Sequence, residues 1–402
     1  MLIAERTKHI TSGTRGAVYR EALRLQAEGK RVLKINTGNP AAFGFTMPES
    51  LKKAISENLI KAAAYSESSG MEDSKKAILQ YNLSKGFKDI NTSDIFLGNG
   101  VSELAEMICS ATVNPGDEVL CPSPNYNLWS NSIYLANGVP VFYECFEDKS
   151  WMPDAAEIES HITDRTRAIV VINPNNPTGS LYSDELLLSI CDIARKHKLM
   201  IFSDEIYDRL LMDGKKHTSI ASLAPDLPVI TFNGLSKSHI VCGLRCGWMT
   251  LSGCHTPEGE ELKLALDAMS SVRLCSNTAA QLCIPAALAD SEYTEKMLAP
   301  GGEIYERREA CINAVNKSEC MSVIKNTGAL YCFVRINPEI CHIEDDKDFA
   351  MQLVRSKNIM IVPGSGFDYP KQNYFRIVML PTPDELAKAV ELIDEFCKEY
   401  NR

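Results

Sequence analysis

The sequence predicts an α/β protein, with a large domain built on a mostly parallel seven-stranded sheet and a smaller α+β domain beside it. Two observations predict this. Over residues 94–251 short β-rich runs alternate with longer amphipathic stretches, the pattern of βα units wound into a parallel sheet. Beyond residue 290 that alternation gives way to a long helical stretch, two strands and a closing helix. Length agrees, because 402 residues with 45% hydrophobic and 23% charged content suffice for more than one core.

In order along the chain, a helical run at 19–28 is followed by the turn-rich stretch 36–40, and this N-terminal segment is expected to pack beside the second domain. The seven strands are placed at 95–97, 118–121, 139–143, 168–172, 200–203, 229–232 and 246–251, with helices such as 102–112 and 184–197 between them. A helical stretch at 293–316, strands at 330–335 and 374–379 and a helix from Pro383 complete the chain. The expected division is 46–290 for the large domain, and 1–45 with 291–402 for the small one.

Composition excludes several classes. A net charge of -10 without any block of like charges argues against a nucleic-acid groove or an anionic membrane surface as partner. The first ten residues carry basic groups but no apolar stretch of signal-peptide length, and no later run approaches a membrane span, so a soluble, cytoplasmic protein is expected. The fourteen cysteines are scattered singly through hydrophobic segments and read as reduced and mostly buried. Cys242 and Cys246, the closest pair, lack a C-x-x-C spacing or a histidine cluster, so no metal is expected.

Three residues each follow a predicted strand: Asn176, Asp204 and Lys237. Ligands of open α/β sheets gather at the carboxyl ends of strands, so these groups can converge on one crevice. In the segment from Asn173 to Gly179 two prolines fix a rigid turn that can aim the Asn176 amide. Asp204 directly follows an apolar run, where an ionised carboxylate is costly without a cationic partner; the alternative is a cap on the following turn. Tyr207 can present a phenol to the same ligand. Lys237 stands in a small-residue turn where desolvation favours an amine nucleophile or base. Arg245, between Gly243 and Gly247, and the turn Gly98-Asn99-Gly100 opening a helix at Val101 and Ser102 both suit a phosphate. An ordinary turn is the alternative for the latter.

Together these segments resemble the class I aminotransferases of the fold-type I pyridoxal-phosphate enzymes, over nearly the whole chain and in the same order. The likeness runs from Gly38-Asn39-Pro40 through Asn173–Gly179, Ser203–Tyr207 and Asn233–Trp248 to Tyr374–Val378. The chain is similar in particular to the bacterial glutamate-pyruvate (alanine) aminotransferase subgroup, which shares its Gly-Asn-Pro, Phe-Gly-Phe and Phe-Asn-Gly-Leu-Ser-Lys segments.

The resemblance implies pyridoxal 5'-phosphate as cofactor, held by Lys237 as a Schiff base. It implies that Asp204 pairs with the pyridine nitrogen and that Asn176 and Tyr207 bind the ring hydroxyl. Gly100, Val101, Ser102, Ser236 and Arg245 are implied to form the phosphate cup, and Tyr126 to stack on the ring. Tyr65 is similar to a residue that reaches the phosphate across a dimer interface, which implies a homodimer. Arg376, Gly38 and Asn176 are implied to hold the substrate α-carboxylate, and Arg15 a distal carboxylate. The implied activity is ping-pong amino transfer between an L-amino acid and a 2-oxo acid, alanine and glutamate with pyruvate and 2-oxoglutarate. A lyase, decarboxylase or oxidase with the same cofactor, or a transaminase of other specificity, is the alternative. Two departures stand out. Ser12 occupies the place where the subgroup has a tyrosine, and Ser238–Cys242 differs from the usual threonine-tyrosine-arginine run.

Overall fold

The computed structural model describes residues 2–400. Its main sheet has eight strands: β1 (Ile95–Gly98), β2 (Glu118–Ser123), β3 (Val139–Phe146), β4 (Met152–Pro153), β5 (Thr166–Ile172), β6 (Met200–Asp204), β7 (Val229–Gly234) and β8 (Gly247–Ser252). They lie in the order β1-β8-β7-β6-β5-β2-β3-β4. The centre, β7-β6-β5-β2-β3, is parallel, whereas β8 runs antiparallel to both neighbours and β4 antiparallel to β3. All seven expected strands are present within three residues of their expected ends, and the two-residue edge strand β4 is an addition to the expected seven.

The central strands are apolar without alternation because both faces are covered. In β5, Ala168, Val170 and Ile172 enter the cluster that includes Leu104 and Trp129. The intervening Ile169 and Val171 enter another, with Leu187 and Ile190 of the helix Asp184–His197.

A four-stranded sheet is formed by Met321–Val323, Tyr331–Ile336, Tyr374–Val378 and Val362–Pro363, in that spatial order. Its faces are sorted by the two-residue period of a strand. Cys332, Val334, Ile336, Phe375 and Ile377 pack with the helices Glu303–Val315, Asp346–Lys357 and Pro383–Glu399. Phe333 and Tyr374 turn the other way and share a cluster with Ile169 and Ile201 of the main sheet. The opposite face of this sheet therefore points across the molecule at the ends of β5 to β7.

The N-terminal helix Ala17–Ala27 buries Ala22 and Leu25 against Val354 and Met360, and Leu33–Lys34 pairs in parallel with Ile359–Met360. The stretch expected as one helix over 293–316 is two, Glu292–Leu298 and Glu303–Val315. Pro300 has no amide to continue the ladder, and Gly301 sits at φ 83°, a conformation that ends a helix. All fourteen cysteines are free thiols, twelve of them buried.

Candidate active site

The residues expected to carry chemistry emerge from the same edge of the sheet. β1 ends at Gly98 and the chain turns through Gly100 into the helix Val101–Thr112. Gly100 has φ 84°, and a Cβ there would lie 2.4 Å from Nη2 of Arg245. Gly247 at the start of β8 presses on the same backbone, where its Cβ would meet the Val101 nitrogen at 2.7 Å. Both glycines let the helix N-terminus and a guanidinium share one small space, the combination that attracts an anion. Arg245 itself is at φ 55° and donates to the Cys242 carbonyl at 3.1 Å.

The cleft above this edge has a volume of about 880 Å³. Val101, Ser102, Ser236 and Arg245 line it at one end, and Tyr126, Asn176, Asp204, Tyr207 and Lys237 line its middle. Gly38, Arg15 and Arg376 close it from the N-terminal segment and the small sheet. Gly100 touches this group through Arg245.

Asp204, the last residue of β6, is buried. Its Oδ2 accepts from the Trp129 indole at 3.1 Å and its Oδ1 from the Ile206 amide at 3.3 Å. Two long hydrogen bonds leave a carboxylate with spare acceptor positions. Burial pushes its carboxyl up to about 6, against the downward pull of the Trp129 and Ile206 bonds. Lys237 follows β7 on the neighbouring turn, and its Nζ donates to the Gly38 carbonyl at 3.2 Å. The Tyr207 hydroxyl lies 2.9 Å from that of Tyr331.

Arg376 reaches the cleft from the small sheet, where it pairs with Phe333 and Val362. Its guanidinium is sandwiched between the Tyr331 and Phe367 rings, at 4.3 and 4.6 Å from their centroids. It donates to Asn176 Oδ1 at 2.8 Å and to the Asn36 carbonyl, while its Nε has no partner among the described residues. A buried planar cation with a rigid backing and an unfilled donor suits a carboxylate.

Tyr65 is 78% exposed and does not line the cleft of its own chain. Arg15 stands at the rim, exposed, with its backbone amide on Ser12 Oγ at 3.3 Å. The run that departs from the subgroup places Ile240, at φ 61°, with Val241 and Cys242 along one wall. Sequence reasoning missed Trp129, which holds Asp204, and Tyr331, which meets both Tyr207 and Arg376. Each is an aromatic within an apolar run; the available signal was that a buried indole or phenol needs a polar partner.

With this geometry in hand, the chain can be set beside known proteins. Residues 30–393 match the family model described as aminotransferase class I and II. An alanine aminotransferase of Mycobacterium bovis is 43% identical over 96% of this chain and 90% of that protein. The glutamate-pyruvate aminotransferase AlaA of Escherichia coli K12 is 41% identical over 99% of this chain and 98% of its own length. A crystal structure of an Escherichia coli aminotransferase superposes with a TM-score of 0.98 at 41% identity, covering 100% of this chain and 99% of that one. The chain belongs to the class I and II aminotransferase family: it is a transaminase of the fold-type I architecture, whose family and fold imply dependence on pyridoxal phosphate.

Proposed function

We propose that this cleft binds pyridoxal 5'-phosphate and moves an amino group between alanine or glutamate and pyruvate or 2-oxoglutarate. The observation that carries the reading is Asp204, a buried carboxylate with spare acceptor capacity and a carboxyl pushed up to about 6, opposite the Lys237 amine. Such a group is stabilised as an anion by a cation brought to it, which a protonated pyridine nitrogen provides. The helix N-terminus at Val101, with Ser102, Ser236 and Arg245, suits the phosphate at the other end. The residues present therefore fit the group at both its charged ends, with Tyr126 for the ring face and Asn176 and Tyr207 for its hydroxyl.

When bound, the cofactor supplies an electron sink for the pair left at the substrate Cα. The protein does the rest. Arg376 grips the α-carboxylate beside Gly38 and Asn176, which fixes the direction of the Cα–H bond; a charge-assisted pair of this kind contributes roughly 1.5–3 kcal/mol. The Lys237 amine takes the proton from Cα and returns it elsewhere, the task of a general base and acid within reach of both atoms. Asp204 keeps its negative charge where positive charge must persist. The first 2-oxo acid leaves before the second enters, so initial rates should follow ping-pong kinetics.

The preference for alanine and glutamate rests on the names of the two curated relatives, and on Arg15 standing at the rim for a distal carboxylate. The division at residues 46–290 against 1–45 with 291–402 and a cytoplasmic setting belong to the same reading. No helix among the described residues is long and apolar enough to cross a membrane. A homodimer would bring Tyr65 of one copy to the phosphate end of the other; its 78% exposure beside exposed Leu59 and Ile60 supports that reading. The test is a screen of amino donors against pyruvate and 2-oxoglutarate with mass identification of products. Alanine and glutamate should rank first, and ammonia, carbon dioxide or peroxide formed without a 2-oxo acceptor would instead indicate a lyase, decarboxylase or oxidase.

A further inference from the structure

Tyr331 joins three parts of the cleft. Tyr331 pairs with Val378 while Phe333 pairs with Arg376, so strand alternation sets Tyr331, Phe333 and Arg376 on the face turned towards the main sheet. The side chain is 1% exposed. Its hydroxyl is 2.9 Å from that of Tyr207, and its ring lies under the Arg376 guanidinium at 4.3 Å. The third neighbour is Gly38, where a Cβ would stand 2.7 Å from the Tyr331 oxygen and 3.3 Å from Lys237 Nζ. The phenol oxygen and the amine thus share the small space that the missing Cβ leaves open, and Lys237 Nζ bonds to the Gly38 carbonyl in that same space at 3.2 Å.

We propose that Tyr331 is a positioning residue for amino transfer: its hydroxyl, held by Tyr207, fixes where the Lys237 amine stands, while its ring carries the Arg376 guanidinium. One side chain then sets both the nitrogen that moves the proton and the cation that grips the carboxylate. The inference rests on the transaminase reading of this cleft and extends it. Acidity agrees with the geometry. Burial alone would raise the Tyr331 phenol, but the facing charges of Lys237 and Arg376 and the bond with Tyr207 bring it below its ordinary value. Burial and the neighbouring phenol hold Tyr207 well above its own. Either hydroxyl can donate in the Tyr207–Tyr331 contact, and in both arrangements the Tyr331 oxygen keeps a lone pair for the amine.

Tyr331→Phe separates the two tasks, because it keeps the ring under Arg376 and removes only the oxygen. In the cofactor-loaded enzyme kcat should fall about tenfold or more, with KM for both acids within about twofold. The pH midpoint of the visible absorption change should move downward by about half a unit or more, since an acceptor beside a cationic nitrogen is lost. Tyr331→Leu, which also removes the ring, should add a rise in KM for amino acid and 2-oxo acid alike. A Tyr331→Phe enzyme with unchanged kcat, or with an unmoved midpoint, overturns the proposal. If the unsubstituted protein transfers no amino group from any donor, the transaminase reading itself falls and takes this inference with it.

Discussion

Asp204, which ends β6, and Asp208, four residues on in the following turn, are both buried, yet they live in opposite electrostatic states. Asp204 faces the cleft with two long hydrogen bonds, and burial pushes its carboxyl up to about 6. Asp208 points behind the turn, where Lys85 Nζ donates to it at 2.8 Å and the Tyr81 hydroxyl also donates to it. Burial would raise Asp208 as well, but the Lys85 charge and these bonds hold it at about 2. Lys85 also serves Glu205 at 2.9 Å, and Ser203 and Ser219 donate to the other Glu205 oxygen at 3.1 and 2.6 Å. Unfilled hydrogen-bonding capacity separates a polar group that awaits a ligand from one that supports the fold. The two carboxylates behind the turn have a cation and hydroxyl donors from the protein itself, whereas the cleft side keeps capacity for a ligand.

The largest effect that would sharpen this contrast is Lys237→Ala. The Lys237 amine donates to the Gly38 carbonyl and stands beside the Tyr331 oxygen, contacts that tie little of the fold together, so melting temperature should move little, while kcat should fall by about 10⁴-fold or more. A variant retaining a tenth of the activity would break the assignment of the cleft as the working side.

Asp204→Asn should lower kcat by about 100-fold or more, and it also has a signature in stability. The folded carboxyl titrates near 6 and the unfolded one near 3.8. A raised carboxyl favours the fold below the unfolded value and loses that contribution as pH rises through the folded one. Between pH 4 and 6 the cofactor-free protein should therefore lose on the order of 2 kcal/mol from this group, and Asp204→Asn should remove that slope. Denaturant melts at several pH values decide it, and identical slopes in both proteins would refute the claim.

Behind the turn the pattern should reverse. Lys85→Met leaves the Glu205 and Asp208 carboxylates without their cation, a change that costs about 3–5 kcal/mol in buried pairs. The depressed Asp208 carboxyl contributes stability above pH 4 that is lost as pH falls towards 2, and this acid limb should vanish in the variant. The surviving folded fraction should keep kcat within about tenfold, because Asp204 and Lys237 retain their own bonds. A variant as stable as the parent in chemical denaturation would break the comparison from this side.

How much of this was legible in the sequence follows the same division. The strands of the main sheet could be read because they hold short apolar runs, Asp204 because a charge follows such a run, and Lys237 because it stands in a small-residue turn after one. Met152–Pro153 was invisible, since two residues show no period. The break at Pro300 was signalled but outweighed by the helical texture on either side. Tyr331 was hidden for a different reason. In Leu330-Tyr331-Cys332-Phe333 it looks like a core aromatic, and its partners Tyr207 and Arg376 are 124 and 45 residues away, the second brought near by strand pairing and the first by the packing of the two sheets. The whole Lys85 cluster escaped notice for that reason too, because Lys85 sits 120 residues from Glu205.

The smallest expected effect tests the rim rather than the floor. Arg15 is exposed, and its guanidinium has no partner among the described residues, so its pull on the distal carboxylate of glutamate is that of a solvent-screened pair, about 1 kcal/mol or less. Arg15→Ala should therefore lower kcat/KM for glutamate about fivefold and leave alanine, which has no distal charge, within about 1.5-fold. Equal losses for both substrates would mean that Arg15 shapes the fold of the 12–16 turn instead of reading the substrate. A glutamate-specific loss nearer 100-fold would require a drier setting than one chain provides, because only an ion pair removed from water reaches that strength. A second copy closing over the rim would produce that dryness, so the size of this one ratio also reports on the proposed homodimer.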